Sequence, residues 1–200
     1  MKVVVIGATG TIGQAIVELL SSRHEVVKVA RSSGEFQVDM TDKESIHRLF
    51  EAIAPFDAVI SAAGSARFNS LESLSDEDFQ FSLANKLMGQ INVVRVGLPY
   101  ITDGGSFTVT SGVLATEPIP GSAAISLVNA GLEGFARAAA LEMPRGVRIN
   151  VVSPPWVTET LQARNMDLPG GMPAAQVAVA YQESLASQRS GEVLDARLFG

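Results

Sequence analysis

The chain of 200 residues contains no cysteine. This absence excludes disulfide bridges, thiolate catalysis and metal sites built on cysteine. Aromatic residues are also scarce, at 6% of the chain, whereas hydrophobic residues make up 46%. A core made largely of small aliphatic side chains is typical of a parallel sheet that is covered by helices on both faces.

An excess of basic residues is missing as well. The formal net charge is -6 at pH 7, whereas a nucleic-acid partner would require a basic stripe. No apolar run reaches the roughly 18 residues that cross a membrane. The first predicted strand begins at Lys2, which leaves no room for a signal peptide. We therefore expect a cytoplasmic protein that binds no nucleic acid, membrane or metal.

Short buried strands alternate with helices along the whole chain, which predicts an α/β fold with a doubly wound parallel sheet. The predicted strands are 2–6, 25–30, 36–38, 57–62, 106–111, 147–153 and one near 192–197. The predicted helices are 11–22, 42–53, all or part of 75–101, 123–143 and 173–187. Gly104 and Gly105 are expected to break the chain before the fifth strand.

A glycine-rich turn follows the first predicted strand. Gly7, Gly10 and Gly13 open the next helix, and a strand, turn and helix in this order hold the pyrophosphate of a dinucleotide. The free N–H groups at the start of the helix supply the hydrogen bonds. The turn predicts a Rossmann-type nucleotide site, to which Thr9, Thr11 and Ile12 also belong.

The end of the second strand indicates which dinucleotide is bound. Arg31, Ser32 and Ser33 follow Ala30, so no carboxylate is available there to accept the ribose 2'-hydroxyl of NAD. A guanidinium and two hydroxyls suit the 2'-phosphate of NADP instead. The prediction is therefore NADP(H); the alternative is that Arg31 is an ordinary solvated arginine at a strand end.

Over nearly its whole length the chain resembles the short-chain dehydrogenases/reductases. Beyond the glycine turn, the motifs that carry the resemblance are Asp39-Met40, Ser61-Ala62-Ala63-Gly64, Val109-Thr110-Ser111, Asn129 to Glu142, Arg148 to Pro154 and Ser190 to Asp195. The resemblance implies a single three-layer domain of about seven strands over residues 1–200. It also implies a small carbonyl or alcohol as substrate, and a homodimer or homotetramer.

The same resemblance assigns roles to individual residues. Asp39 and Met40 would contact adenine, and Ser111 would be the catalytic serine. Further cofactor contacts would come from the turn after the fourth strand and from the loop after the sixth, at Ala62, Ala63, Gly64, Pro154, Val157 and Thr158. The loop also carries Pro155 in place of the usual glycine, and with a short lid at 161–172 it predicts a shallow, open pocket.

The catalytic Tyr-x-x-x-Lys pair of the family is missing. Ile125 stands at the tyrosine position and Asn129 at the lysine position. On the fourth helix, Lys86 stands where the family has its catalytic asparagine, so Lys86 and Asn129 have exchanged places and could keep an ammonium and an amide in the same volume. If the alignment shifts by one residue, Asn85 is that asparagine and Lys86 is a solvated lysine.

Two functions remain open. The chain is either an NADP(H)-dependent oxidoreductase, in which Ser111 holds the substrate oxygen and Lys86 or a water moves the proton, or a non-catalytic NADP(H)-binding sensor or partner protein. Retention of the serine favours the first function, and loss of the tyrosine favours the second.

Overall fold

The computed structural model describes residues 1–166 and 170–199, and its centre is a parallel sheet of seven strands. The strands are β1 (Lys2–Ile6), β2 (Glu25–Ala30), β3 (Phe36–Gln37), β4 (Phe56–Ser61), β5 (Ile101–Thr110), β6 (Arg148–Ser153) and β7 (Val193–Asp195). Their order across the sheet is β3-β2-β1-β4-β5-β6-β7. The chain therefore winds outward from β1 in both directions, as the doubly wound prediction requires.

Seven α-helices surround the sheet within the described residues. They are α1 (Thr11–Leu20), α2 (Lys43–Ile53), α3 (Asp76–Ser82), α4 (Gly89–Gly97), α5 (Ala123–Ala139), α6 (Thr158–Ala163) and α7 (Ala174–Ala186). A π-helical turn at Leu83–Met88 joins α3 to α4, and short 3-10 helices lie at Leu71–Ser73, Val113–Ala115 and Ala196–Leu198. No helix among the described residues is both long and apolar enough to cross a membrane.

Both faces of the sheet are buried, because consecutive side chains of a strand point to opposite faces. On β1, Val4 packs into one apolar cluster with Phe50 of α2, whereas Val3 packs into a second cluster on the other side of the sheet. That second cluster includes Ile16 of α1 and Tyr181 of α7. The predicted three-layer α/β fold is confirmed.

The fifth strand begins earlier than predicted. Gly104 and Gly105 lie inside β5, so the prediction that they break the chain before this strand is wrong. The pairing of β4 with β5 shifts register between Phe56 and Ala58, which absorbs the irregularity. A Cβ at Gly105 would lie 2.7 Å from the carbonyl oxygen of Asp57, so the close approach of the two strands requires glycine here.

Two predicted helices differ clearly in extent, and a further helix lies in the predicted lid. The helix predicted for 75–101 is divided into α3 and α4 by the π-helical turn, and α5 ends at Ala139 instead of residue 143. The predicted short lid at 161–172 overlaps α6, and its residues 167–169 lie outside the described part of the chain. A single backbone bridge between Val157 and Met172 joins the two sides of this segment.

Candidate functional site

The glycine turn lies at the carboxyl end of β1, at the switch point of the sheet. Gly7 has a φ of +88°, and a Cβ at Gly13 would lie 1.9 Å from the Gly7 carbonyl oxygen. Helix and strand can pack this closely only with glycine at 13. In the described structure no side chain caps the start of α1, so its first N–H groups are available to an anion such as pyrophosphate.

A cleft of about 220 Å³ opens on the β2 side of this turn. Most of the residues predicted to hold the adenosine half of the cofactor line it: Gly7, Thr9, Gly10, Arg31, Asp39, Met40, Ala62, Ala63 and Gly64. Ser33 lines a neighbouring cavity together with Thr9, and Ser32 is exposed. The structure thus brings predicted residues that follow four strands, β1 to β4, into one nucleotide-sized cleft.

The position of Asp39 qualifies the argument for Arg31. No acid stands at residues 30–33, but the fold brings Asp39 to 3.9 Å from the Arg31 guanidinium, whose side chain is 75% exposed. Hydrogen bonds from the hydroxyl and N–H of Thr41 hold the pKa of Asp39 below its usual value. Asp39 is therefore charged, and an incoming phosphate must compete with it for Arg31.

A second cleft, of about 210 Å³, lies on the other side of the turn. Ile12, Pro154 and Val157, all predicted cofactor residues, contribute to its wall, as do all three predicted catalytic residues, Lys86, Ser111 and Asn129. The remaining lining residues are Gly112, Val113, Leu114, Ile125, Pro155, Trp156 and Thr160. The site is thus polar at its base and apolar on its walls.

Lys86 reaches the base of this cleft from the π-helical turn. Its ammonium donates a hydrogen bond to the backbone oxygen of Ser111 at 3.0 Å, and burial lowers its pKa to about 8. The lysine stem is covered by the turn after β4, where a Cβ at Gly64 would lie 3.1 Å from Lys86 Cα. Asn85 instead donates to the Phe81 carbonyl and lines the adenosine cleft, so the structure turns Lys86 and not Asn85 toward the serine.

The hydroxyl of Ser111 has a partner that the sequence reasoning missed. It donates to Oε1 of Glu133 at 3.2 Å, and the other carboxylate oxygen of Glu133 accepts from Arg137 at 3.2 Å. Ser111 and Glu133 are 2% and 5% exposed. The spacing contained a usable signal, because Glu133 lies four residues after Asn129 and thus on the same buried face of α5.

Asn129 is buried in α5, with 1% of its surface exposed. Its amide nitrogen donates to the Gly112 carbonyl at 3.3 Å, whereas Oδ1 has no hydrogen-bond partner among the described residues. Ile125, one turn earlier, adds an apolar wall where the family carries its tyrosine. A buried, unpartnered oxygen beside an open cleft is a place where a ligand donor fits.

Five predicted cofactor residues line neither of the two clefts: Thr11, Gly13, Ser32, Ser33 and Thr158. Thr158 begins α6, and its N–H donates to the carbonyl oxygen of Met172. This hydrogen bond lies next to the backbone bridge between Val157 and Met172. Thr160 takes a place in the cleft instead. Thr11 is exposed in the first turn of α1 and does not line a cleft. Its backbone is the part that would face a ligand at this turn.

Comparison with known proteins places this arrangement among oxidoreductases. The family model described as enoyl-(acyl carrier protein) reductase matches residues 7–194. Hydroxynaphthalene reductase arp2 of Aspergillus fumigatus is 28% identical over 153 residues, which are 72% of this chain but 56% of that protein. The chain therefore spans little more than half the length of this relative.

Solved structures match over almost the whole chain. The protein lin1944 from Listeria innocua is 39% identical, with a TM-score of 0.94 and coverage of 98% of both chains. A small-chain dehydrogenase in complex with NADPH is 26% identical, with a TM-score of 0.86 and coverage of 98% of this chain and 95% of the other. The likeness thus extends to the overall fold of nearly the whole chain.

Proposed function

Because the chain belongs to the short-chain dehydrogenase/reductase family, we propose that it is an NADP(H)-dependent oxidoreductase that acts on a small carbonyl or alcohol. The observation that carries the proposal is the half-buried Lys86, whose ammonium lies 3.0 Å from the Ser111 carbonyl oxygen at the base of the second cleft. A lysine in this place supplies the proton donor that Ile125 cannot supply.

The residues present fit the cofactor. The glycine turn and the uncapped start of α1 would hold the pyrophosphate, and Arg31 would hold the 2'-phosphate. Met40 and Asp39 would bound the adenine, and the unpartnered Oδ1 of Asn129 marks the opposite end of the site. The NADPH complex of the 26% identical dehydrogenase supports the same choice of cofactor.

When bound, NADPH supplies a hydride to the substrate carbon. Lys86 then has the role of general acid, giving a proton from Nζ to the substrate oxygen. Its pKa of about 8 lies near the working pH, which is where proton transfer is most effective. The apolar walls at Val113, Leu114 and Ile125 would accept a compact hydrocarbon body.

A second candidate function is supported by Ile125. The side chain in the tyrosine position has no proton to give, and a protein that only binds NADP(H), as a sensor or partner subunit, would need none. Such a protein would keep the adenosine end of the site and have no use for a desolvated lysine at the other end.

The deciding experiment is an NADPH titration followed by an oxidation screen over small ketones, aldehydes and quinones. We expect NADPH to bind and at least one carbonyl to be reduced, with loss of turnover in Lys86→Met. Lys43→Met, which removes an exposed lysine at the start of α2, is the matched control and should behave like the unmutated protein. Tight NADPH binding without turnover on any compound would favour the second function.

A further inference from the structure

The direction of one hydrogen bond restricts what the second cleft can bind. A serine hydroxyl has one proton to donate and two lone pairs to accept with, whereas an ionised carboxylate can only accept. Because the hydroxyl of Ser111 donates to Glu133, its proton is committed to the protein interior. What Ser111 can then offer to the cleft that it lines is a lone pair.

The carboxylate that accepts this hydrogen bond is itself held in place. Glu133 is 5% exposed, and its second oxygen accepts from the guanidinium of Arg137, one turn further along α5. This pairing keeps a buried charge compensated, which a carboxylate at this depth requires. Arg137 thereby fixes which carboxylate oxygen faces the serine.

The polar groups that line the second cleft can now be assigned as hydrogen-bond donors or acceptors. Among the described residues that line it, Lys86 is the ionisable donor, and Ser111 Oγ and the unpartnered Asn129 Oδ1 are acceptors. A ketone oxygen can only accept, so Lys86 can bind it but Ser111 cannot. An alcohol oxygen can accept from Lys86 while its O–H donates to Ser111, and it satisfies both groups.

We propose that Glu133 is a positioning residue that acts through Ser111: it holds the serine hydroxyl as a hydrogen-bond acceptor, so the cleft selects the alcohol over the corresponding ketone. The inference deepens the proposed function, because it concerns the same cleft and rests on that cleft being the substrate site. It assigns the serine a polarity opposite to that of a donor to a carbonyl oxygen.

The test compares two probes of the same shape, cyclohexanol and cyclohexanone, titrated by ligand-observed NMR with and without saturating NADP+. One additional hydrogen bond predicts that the unmutated protein binds cyclohexanol about five-fold more tightly than cyclohexanone. The ratio of the two dissociation constants is the readout, since a general loss of packing would weaken both probes alike.

Glu133→Gln should reverse the polarity of the serine. Arg137 would hold the amide oxygen of the glutamine, which leaves the amide nitrogen to donate to Ser111 and frees the serine proton for the cleft. The alcohol preference should fall to about one or invert. Glu183→Gln, the same change at an exposed position of α7, should keep the five-fold ratio.

Ser111→Ala is the second variant, used in case Glu133→Gln does not fold by circular dichroism. It removes the serine acceptor, so the preference should again fall to about one, because Lys86 still binds both probes and no serine lone pair remains for the alcohol O–H. Equal binding of the two probes by the unmutated protein, a preference for the ketone, no binding of either probe, or an unchanged ratio in a folded variant would overturn the proposal. Failure of the proposed function is a separate result, because it is the absence of NADPH binding or of turnover.

Discussion

The adenosine end and the catalytic end of the site are built from different materials. At the adenosine end, backbone N–H groups and glycines form the binding surface, and the one cation, Arg31, is 75% exposed. At the proposed catalytic end, polar side chains form the site. Ser111, Asn129 and Glu133 are each no more than 5% exposed, and burial lowers the pKa of Lys86 to about 8.

This difference bears on the proposal that the proton donor of the second cleft has been replaced while the nucleotide end has been kept. A phosphate site made of backbone persists as long as the chain follows the same path, whatever side chains surround it. A proton donor depends on one or two side chains, and a neighbouring helix can supply a replacement from another direction. We propose Lys86, which reaches in from the π-helical turn, as such a replacement.

The largest expected effect separates the two ends by a single substitution. Lys86→Met keeps the length of the stem but removes the ammonium, and loss of a general acid lowers turnover by about 100- to 10,000-fold. The affinity for 2',5'-ADP, a probe of the adenosine end alone, should not change. Steady-state kinetics and calorimetry measure the two quantities. A variant that turns over normally would show that the catalytic end does not depend on this lysine.

The pH dependence of the two directions of reaction is the next largest effect. Reduction needs the protonated amine, so its rate should fall about ten-fold per pH unit above the Lys86 pKa of about 8. Oxidation needs the neutral amine and should rise to a plateau over the same range. Rates in both directions between pH 6 and pH 10 provide the check, with cofactor affinity as the internal control. Parallel pH profiles in the two directions would contradict the assignment.

Arg31→Ala tests the adenosine end. Removal of a charge-assisted contact to the 2'-phosphate should cost about 1.5 to 3 kcal/mol of NADPH binding and leave NADH binding unchanged. The exposure of Arg31 and the competing charge of Asp39 favour the lower part of that range. Titration of both cofactors measures the effect. Equal affinities for NADPH and NADH in the unmutated protein would refute the role of Arg31.

The stability of the fold should respond to Lys86 in the opposite sense from activity. Desolvation holds the folded-state pKa near 8 against 10.5 for a free lysine, so the unfolded chain binds more protons between these values and stability rises with pH across that window. Lys86→Met removes the penalty and should stabilise the protein by about 1 to 3 kcal/mol at pH 7. Urea unfolding at pH 7 and pH 10 should give a gain that shrinks at the higher pH.

Assembly is expected to affect the site least, because both ends of the site lie within one chain. Small residues Ala130, Gly134 and Ala138 recur every four positions on the exposed side of α5 and would let a second helix approach closely. We expect a symmetric dimer or tetramer, with a mass at least twice the 21.0 kDa of the chain in light scattering at tens of micromolar. A monomer under these conditions would be the contrary result.

Much of the fold was predictable because its signals are local. The buried runs at Val3 to Ile6 and Arg148 to Ser153 could form only strands covered on both faces, and the glycine turn announced the start of α1. Gly104 and Gly105 misled, since a pair of glycines is typical of a turn. Only the approach of β4 shows that Gly105 allows two strands to lie close together.

The catalytic end was predictable as a set of residues but not as an arrangement. The spacing predicts that Lys86 and Asn129 have exchanged places, with Asn85 as the alternative if the alignment shifts by one residue. A π-helical turn adds a residue to the helical repeat, so no regular period could have told which of the two faces the cleft.

The sequence by itself determined the doubly wound sheet and the nucleotide turn, because each depends on residue types at short spacing along the chain. The tertiary structure alone decided that Asp39 lies beside Arg31 and that Lys86 is desolvated under Gly64. It also decided that the Ser111 hydroxyl donates a hydrogen bond to Glu133. These are contacts between segments that are distant in sequence. Their distances and burial set charge and hydrogen-bond direction, and local patterns contain no record of either.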